Sequence, residues 1–525
     1  MRAVKKFPSK NNEIISYNPA TSQEVGRVKN FSSDEVRKAV AKSRKTFQLW
    51  QKTSFAERKQ IVMQAREVIL AEIDAIAKLI SDEMGKPISE AISAEIAPVL
   101  DLMQFFAKKT EKMLRAEKRN IGLLGLLGRS SKIIYKPLGV VGIISPWNFP
   151  FSIPLGEVVM ALMAGNTVIL KPSELTPLTG EKIGEIFKSA GLPEGILQVV
   201  SGAGETGAAL VEAGVNKIMF TGSVATGKKI AENAAKTLTP VVLELGGKDP
   251  MIVFGDVNLE KASSAAVWGA FTNSGQACSS VERLYVEEPV AENFTEMVVE
   301  KTKNLRQGLG SVSETDIGSM SSEDQTQIVE DHVKAFEKEG ANILTGGKRN
   351  PNMDGVFFEP TVISNADNTM HAMREETFGP TLPIATFATE NEAIDLANDT
   401  DFGLTASVWT SDLTKGKRVA EKILAGTVNV NEVLYTHGIG QTPWGGFKNS
   451  GYGRTHGKEG LMELVAPQHI HVNRFLFSPD VWWFGYSANG IDTFKGMART
   501  FASGSILKTL GFLPQMWKRI KEIKK

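Results

Sequence analysis

The sequence predicts an α/β protein built from two α/β domains, and three observations predict it. Short apolar runs alternate with helical stretches beyond residue 138, the alternation restarts near Leu245, and 525 residues are several times the roughly 100 to 200 of a single domain. In chain order, residues 34–115 read as helices. Val36, Val40, Phe47 and Trp50 fall at helical spacing, as do Ile61, Val62, Ala65, Val68, Ile69, Ile73, Ile76 and Ile80. After the glycines of 122–128 come strand-like runs at 140–144, 167–170, 197–200 and 217–220, separated by helical stretches, which implies a parallel sheet. A second set lies at 251–254, 283–286, 382–387 and 406–410, placing a domain boundary near residue 246. There is no internal repeat and no low-complexity linker, so the two domains are expected to pack together, with a cleft for a ligand between them.

Composition narrows the function. Hydrophobic residues make up 42% and charged residues 23%, enough to bury large cores. Sixty Lys and Arg against 59 Asp and Glu leave +1, without the basicity of general nucleic-acid binding, so no nucleic-acid partner is expected. One cysteine excludes an intrachain disulfide framework and any cysteine-based metal site. The six histidines show no metal-binding spacing, and His469 and His471 alternate along an apparent strand as a solvent or interface face. The basic start, Met1 to Lys6, leads into polar residues rather than an apolar signal segment, and no apolar run approaches a membrane span, so a cytoplasmic setting is the expectation.

The last 50 residues differ. They carry eight Lys or Arg against three Asp or Glu, and Trp482, Trp483 and Trp517 among the eight tryptophans. Aromatic pairs beside a basic apolar segment fit an anchor at a membrane surface, and equally an oligomer-contact tail. Gly511 and Pro514 are expected to interrupt any single long helix there.

Several motifs carry chemistry. Gly202-Ala203-Gly204-Glu205-Thr206-Gly207 matches the dinucleotide fingerprint after a strand-like run. Phe220-Thr221-Gly222-Ser223 also ends a strand, and the run to Lys228-Lys229 nearly makes a phosphate loop. It lacks the Ser or Thr that would hold magnesium, which argues against an ATPase. Either turn can set N–H groups against a diphosphate or be purely structural. Cys278 lies in the small-residue stretch Gly275-Gln276-Ala277-Cys278-Ser279, fitting either a buried hydrophobe or a nucleophile that substrate can approach. Glu244, set in an apolar run before Gly246-Gly247, reads as a general base raised by burial or as a structural ion-pair member. Asn148, between Pro146 and Pro150, is a turn former or a donor to an oxyanion. No Gly-x-Ser-x-Gly is present, against a serine hydrolase of the α/β type.

Together, Pro146-Trp147-Asn148-Phe149-Pro150, Lys171-Pro172-Ser173-Glu174, Phe220-Thr221-Gly222-Ser223, Glu244-Leu245-Gly246-Gly247-Lys248, Gly275-Gln276-Ala277-Cys278, Glu375-Glu376-Thr377-Phe378-Gly379-Pro380 and Pro443-Trp444-Gly445-Gly446-Phe447-Lys448 resemble the aldehyde dehydrogenase superfamily in order and spacing. The resemblance covers residues 14–475 and leaves the tail outside.

It implies a Rossmann-like NAD-binding domain of residues 1–116 and 138–245, a catalytic α/β domain of 246–445, a small β oligomerisation element of 117–137 and 446–475, and an extension of 476–525. A homodimer or homotetramer is implied. The implied reaction is NAD-dependent oxidation of an aldehyde to an acid, with NADP as the alternative cofactor. Cys278 would attack the aldehyde, Asn148 and the Cys278 N–H would hold the oxyanion, and Glu244 would activate the water that releases the acid. The implied cofactor set is Trp147, Lys171, Ser173, Glu174, Gly222, Ser223, Leu245, Glu376 and Phe378. Lys171 and Glu174 would lie at the adenosine ribose, Gly222 and Ser223 at the diphosphate, and Glu376 and Phe378 at the nicotinamide end. Gly202 to Gly207 would then be a structural turn. Alternatives are acyl transfer to coenzyme A, a non-catalytic relative, and a small semialdehyde in place of a long-chain or apolar substrate.

Overall fold

The computed structural model describes residues 12–126, 128–474, 478–504 and 506–524, so the basic N-terminal residues lie outside it. The chain divides into two compact units, Met1–Met113 with Pro137–Val465, and Leu114–Lys136 with Ala466–Lys525.

The first unit opens with an antiparallel strand pair, Glu13–Tyr17 with Glu24–Lys29, and helices follow, as the periodicity predicts: Ser33–Trp50, Phe55–Ala71, Ile73–Met84 and Ala97–Met113. Ser32 with Glu35 and Ser54 with Glu57 form capping boxes that satisfy the first N–H groups of two of them. Two sheets follow. In the six-stranded sheet, Val140–Ile144 pairs in parallel with Thr167–Lys171 on one side and Lys217–Thr221 on the other. Both Val140–Ile144 and Thr167–Lys171 are buried along their whole length, which is why they read as unbroken apolar runs rather than alternating ones. The seven-stranded sheet is centred on Asp249–Val253 and Val281–Glu287 and is parallel except for its edge strand Asn342–Thr345. The chain passes from one sheet to the other between Glu244 and Asp249.

The boundary expected at residue 446 falls elsewhere. Residues 446–465 belong to the first unit, because the short strand Gly451–Tyr452 pairs antiparallel with Val241–Glu244 and Ser450 O accepts the Leu245 N–H at 3.1 Å. Local sequence carries no sign of this pairing, which joins positions some 200 residues apart.

In the second unit, Val465–Asn473, Arg129–Pro137 and Glu117–Arg119 form a three-stranded sheet. His469 and His471 are exposed on its edge strand, and His471 Nδ1 lies 2.8 Å from Ser131 Oγ. The tail contributes two helices, Ala488–Ser503 and Ile506–Ile523. The second runs through Gly511 and Pro514, against expectation. Phe512 and Met516 pack on Val481, and that burial offsets the one hydrogen bond the proline removes. No described helix is long and apolar enough to cross a membrane.

Candidate active site

Glu244 ends the strand Val241–Glu244, and its carbonyl accepts the Gly222 N–H at 3.0 Å. Its side chain is buried with neither carboxylate oxygen partnered. Burial, and then the neighbouring Glu157 carboxylate, hold its pKa well above the ordinary carboxylate range, with Arg454 opposing them.

The two glycines that follow let chain approach chain. A Cβ on Gly246 would stand 2.3 Å from Glu376 Oε2, and one on Gly247 would stand 2.5 Å from Cys278 O. The Gly247 N–H donates to Glu376 Oε1 at 3.0 Å.

The segment leading to Cys278 is held in a backbone conformation that L residues avoid. Asn273, Ser274 and Gly275 have φ of 54°, 56° and 70°, costing about 1–2 kcal/mol for each non-glycine. Glycine is required at 275, where a Cβ would meet Gly379 O at 2.1 Å. Hydrogen bonds hold the segment there. Asn273 Nδ2 donates to Asn148 O at 3.0 Å and to Gln276 O at 3.1 Å. Gln276 Nε2 donates to Asn273 O at 2.9 Å, and the Ser321 N–H donates to Gln276 Oε1 at 2.9 Å. Cys278 itself is partly exposed. Its thiol is pushed up in pKa by burial, then by the Asp249, Glu376 and Glu244 carboxylates, so it is a neutral thiol at pH 7.

Asn148 is buried just past the strand Val140–Ile144, and its Nδ2 donates to Gln276 O at 3.1 Å, two residues before the sulfur. Its own carbonyl accepts from Lys86 Nζ at 2.8 Å. Lys86 is paired at 2.7 Å with Glu95, whose other oxygen accepts the N–H groups of Phe151 and Ser152 at 2.9 and 3.1 Å. The buried Lys86–Glu95 pair therefore fixes the turn that presents Asn148.

The remaining expected residues lie as follows. Lys171 Nζ and Glu174 pair at 3.2 Å beyond the strand Thr167–Lys171, and Ser173 Oγ accepts the Leu175 N–H. Gly222 and Ser223 open the helix Val224–Ala235, with Ser223 Oγ capping the Thr226 N–H. Leu245 is buried beside Gly227. Trp147 and Phe378 meet edge to face with ring centres 5.3 Å apart. Phe378 has φ of 52°, and its N–H and that of Thr377 are both held by Glu282, itself paired with Lys248 at 2.7 Å. Gly202 lies in a tight turn, where a Cβ would collide with the Thr206 side chain at 1.9 Å, and Thr206 Oγ1 donates to Phe31 O. Among the described residues no cluster of His, Cys, Asp and Glu could hold a metal ion.

Sequence reasoning missed part of the site. Cys278 and Glu244 line a cavity of about 10 Å³ together with Glu157, His437, Trp444 and His456, room for about one water molecule. Glu157 is the lone carboxylate of the wholly buried helix Ser152–Ala164, the same signal that singled out Glu244. His437 and His456, with ring centres 4.7 Å apart, carry no local signal, because only the fold brings them together.

Comparison with known proteins agrees with this geometry. Residues 7–470 match the model of the aldehyde dehydrogenase family. The chain belongs to that family. This aldehyde dehydrogenase family member is 40% identical over 461 residues to a 4,4'-diapolycopene aldehyde oxidase of Methylomonas sp, covering 88% of this chain and 86% of that protein. It is 38% identical to the betaine aldehyde dehydrogenase of Bacillus subtilis, covering 87% and 93%. Among solved structures, it is similar to an NAD-dependent aldehyde dehydrogenase of Sinorhizobium meliloti, with a TM-score of 0.86, 38% identity and coverage of 90% and 93%. A Staphylococcus aureus betaine aldehyde dehydrogenase in complex with NAD+ gives 0.85, 34%, 90% and 94%. The family member is an oxidoreductase acting on aldehydes.

Proposed function

We propose that the protein oxidises an aldehyde to a free carboxylic acid through a covalent adduct on Cys278, with release by water that Glu244 deprotonates. The observation carrying this is that Cys278 and Glu244 face one water-sized cavity, with both Glu244 oxygens unpartnered. A neutral thiol needs a base to become a nucleophile, and a carboxylate made more basic by burial supplies one. The Asn148 amide, anchored two residues from the sulfur, and the Cys278 N–H hold the oxyanion. Water rather than coenzyme A takes the acyl group, because a base with free lone pairs stands beside the sulfur. Acid formation without coenzyme A, lost in Cys278→Ala, supports the proposal; an unchanged Cys278→Ala rate overturns it.

The residues fit a bound dinucleotide. Gly222 lies at a helix start where a Cβ would crowd the Phe220 ring at 2.6 Å, and Ser223 leaves the first N–H groups of the Val224–Ala235 helix for a diphosphate. Bound NAD(P)+ supplies the hydride acceptor. Lys171 and Glu174 suit the adenosine ribose, where the Glu174 carboxylate accepts from the hydroxyls and repels a 2′-phosphate, favouring NAD over NADP. Trp147 and Phe378 form a wall, and Glu376 an acceptor, for the nicotinamide end.

The substrate we favour is a long-chain or otherwise apolar aldehyde met at a membrane surface. Trp482, Trp483, Phe484 and Tyr486 are exposed side by side, Phe484 at 85%. Arg519 donates to the carbonyls of Trp483 and Gly485 at 3.1 and 2.6 Å, and Arg129 stacks on Trp482 and pairs with Asp480, so the aromatic loop is built rather than frayed. An amphipathic aromatic belt with basic neighbours suits an anionic interface. The name of the Methylomonas relative fits an apolar aldehyde, whereas the Bacillus relative is named for betaine aldehyde. The edge strand Val465–Asn473 offers a second copy of the chain a pairing surface, as a homo-oligomer would use.

A further inference from the structure

Four polar atoms stand without protein partners around the cavity beside the sulfur: Glu244 Oε1 and Oε2, Glu157 Oε2 and His456 Nδ1. All three side chains are at most 4% exposed. A polar void with room for one water and several such partners is suited to hold one, and a water there can carry a proton between the groups that line it. Glu157 plays no part in the chemistry described above, although it shares the void with the base.

Proton accounting for the two half-reactions gives it one. When Cys278 attacks, the S–H bond breaks and a C–S bond forms. The aldehyde hydrogen then leaves with its electron pair to the oxidised cofactor, giving a thioester and one surplus proton from the thiol. If Glu244 keeps that proton, it cannot accept another from the hydrolytic water. In the second half-reaction a water O–H breaks toward Glu244, a C–O bond forms, and the C–S pair returns to sulfur, which takes up a proton. A second acceptor within reach of Glu244 is needed between the two steps.

We propose that Glu157 is that acceptor: the proton lost by Cys278 passes through Glu244 and the cavity water to Glu157, which frees Glu244 for hydrolysis. The groups facing Glu157 suit the task. Burial raises its pKa to about 8, so above that pH Glu157 is ionised and can take up a proton. Burial and the Glu157 charge also hold Glu244 above the ordinary carboxylate range, so the two carboxyls take up and release protons as a coupled pair. His437 and His456 are kept neutral by burial, and a neutral imidazole both donates and accepts. Arg454 is the cation acting on Glu244.

The inference rests on the Cys278 mechanism and is tested apart from it, on the full chain with NAD+ and hexanal in stopped flow above pH 8, where Glu157 is ionised. In the unaltered protein, a single turnover in weak buffer with a pH indicator should show proton release lagging cofactor reduction. Coincident release overturns the proposal. In Glu157→Gln, cofactor reduction should show a burst near one equivalent per chain, followed by a steady rate lowered about tenfold or more, with Glu157→Asp recovering part of it. A steady rate within twofold of the original, or loss of the burst itself, overturns it. A burst surviving in Cys278→Ala would instead sink the underlying mechanism.

Discussion

Both carboxylate oxygens of Glu90 lie 3.1 Å from the backbone nitrogen of Asn273 and accept its N–H. Asn273 begins the left-handed stretch that leads to Cys278, and its side chain holds the carbonyls of Asn148 and Gln276. One carboxylate thus steadies the segment carrying the nucleophile and the anchor of the proposed oxyanion donor. Glu90→Ala leaves the Asn273 N–H unsatisfied, a cost of about 1–3 kcal/mol. It should lower kcat more than it raises KM and reduce Tm, and steady-state kinetics with thermal melts check this. Unchanged kcat with lowered Tm would assign Glu90 to stability alone.

Gly247 faces the carbonyl of Cys278, and a Cβ there would stand at 2.5 Å from backbone that has no rotamer with which to escape. Gly247→Ala should therefore displace the nucleophile and lower kcat by about 100-fold, the order expected of a misplacement near 1 Å. Exposed Gly191, where an added Cβ meets nothing, is the control. It has φ of 81°, so Gly191→Ala should cost stability without the same loss of kcat.

Asn148→Ala removes the side-chain N–H groups while leaving the carbonyl that Lys86 holds. If the amide stabilises the oxyanion, kcat should fall about 10²–10³-fold with KM little changed. A loss confined to KM would place Asn148 in substrate binding instead.

Stability should depend on pH through the buried carboxyls. Glu157 is raised from 4.5 to about 8 in the folded chain, so between those values the folded state holds a proton that the unfolded state has released. Stability from this group is present below about pH 4.5 and is lost as pH rises toward 8. Glu157→Gln cannot ionise, so its Tm relative to the parent should be more favourable at pH 8 than at pH 5. Equal differences at both values would contradict the burial of a protonated Glu157.

Much of this site was legible because its chemistry needs local sequence. Glu244 before two glycines and Cys278 among small residues announce a carboxylate and a sulfur that other chain must approach, and the collisions at Gly246, Gly247 and Gly275 are the physical reason. The buried strands were legible as apolar runs for a similar reason, being covered on both faces. Glu157 was overlooked although it interrupts an apolar helix as Glu244 interrupts an apolar run. Its importance lies in what it faces, and that is set by packing. His437 with His456, and Gly451 with Glu244, depend on contacts between distant segments that no local pattern encodes. The Ile506–Ile523 helix runs through Pro514 because packing on Val481 outweighs a local helix breaker.

Trp482→Ser, Trp483→Ser and Phe484→Ser together should abolish flotation with vesicles containing anionic lipid and lower turnover of long-chain aldehydes, while sparing short ones. Binding unchanged by the three substitutions would remove the membrane role.

Intact-mass spectrometry of the unaltered protein, acid-quenched within the first turnover with NAD+ and hexanal, decides whether the covalent adduct on Cys278 forms. An added mass equal to the acyl group, mapped to the peptide holding Cys278 and missing from Cys278→Ala, is the expected result. Cofactor reduction proceeding with no added mass on that peptide would contradict it.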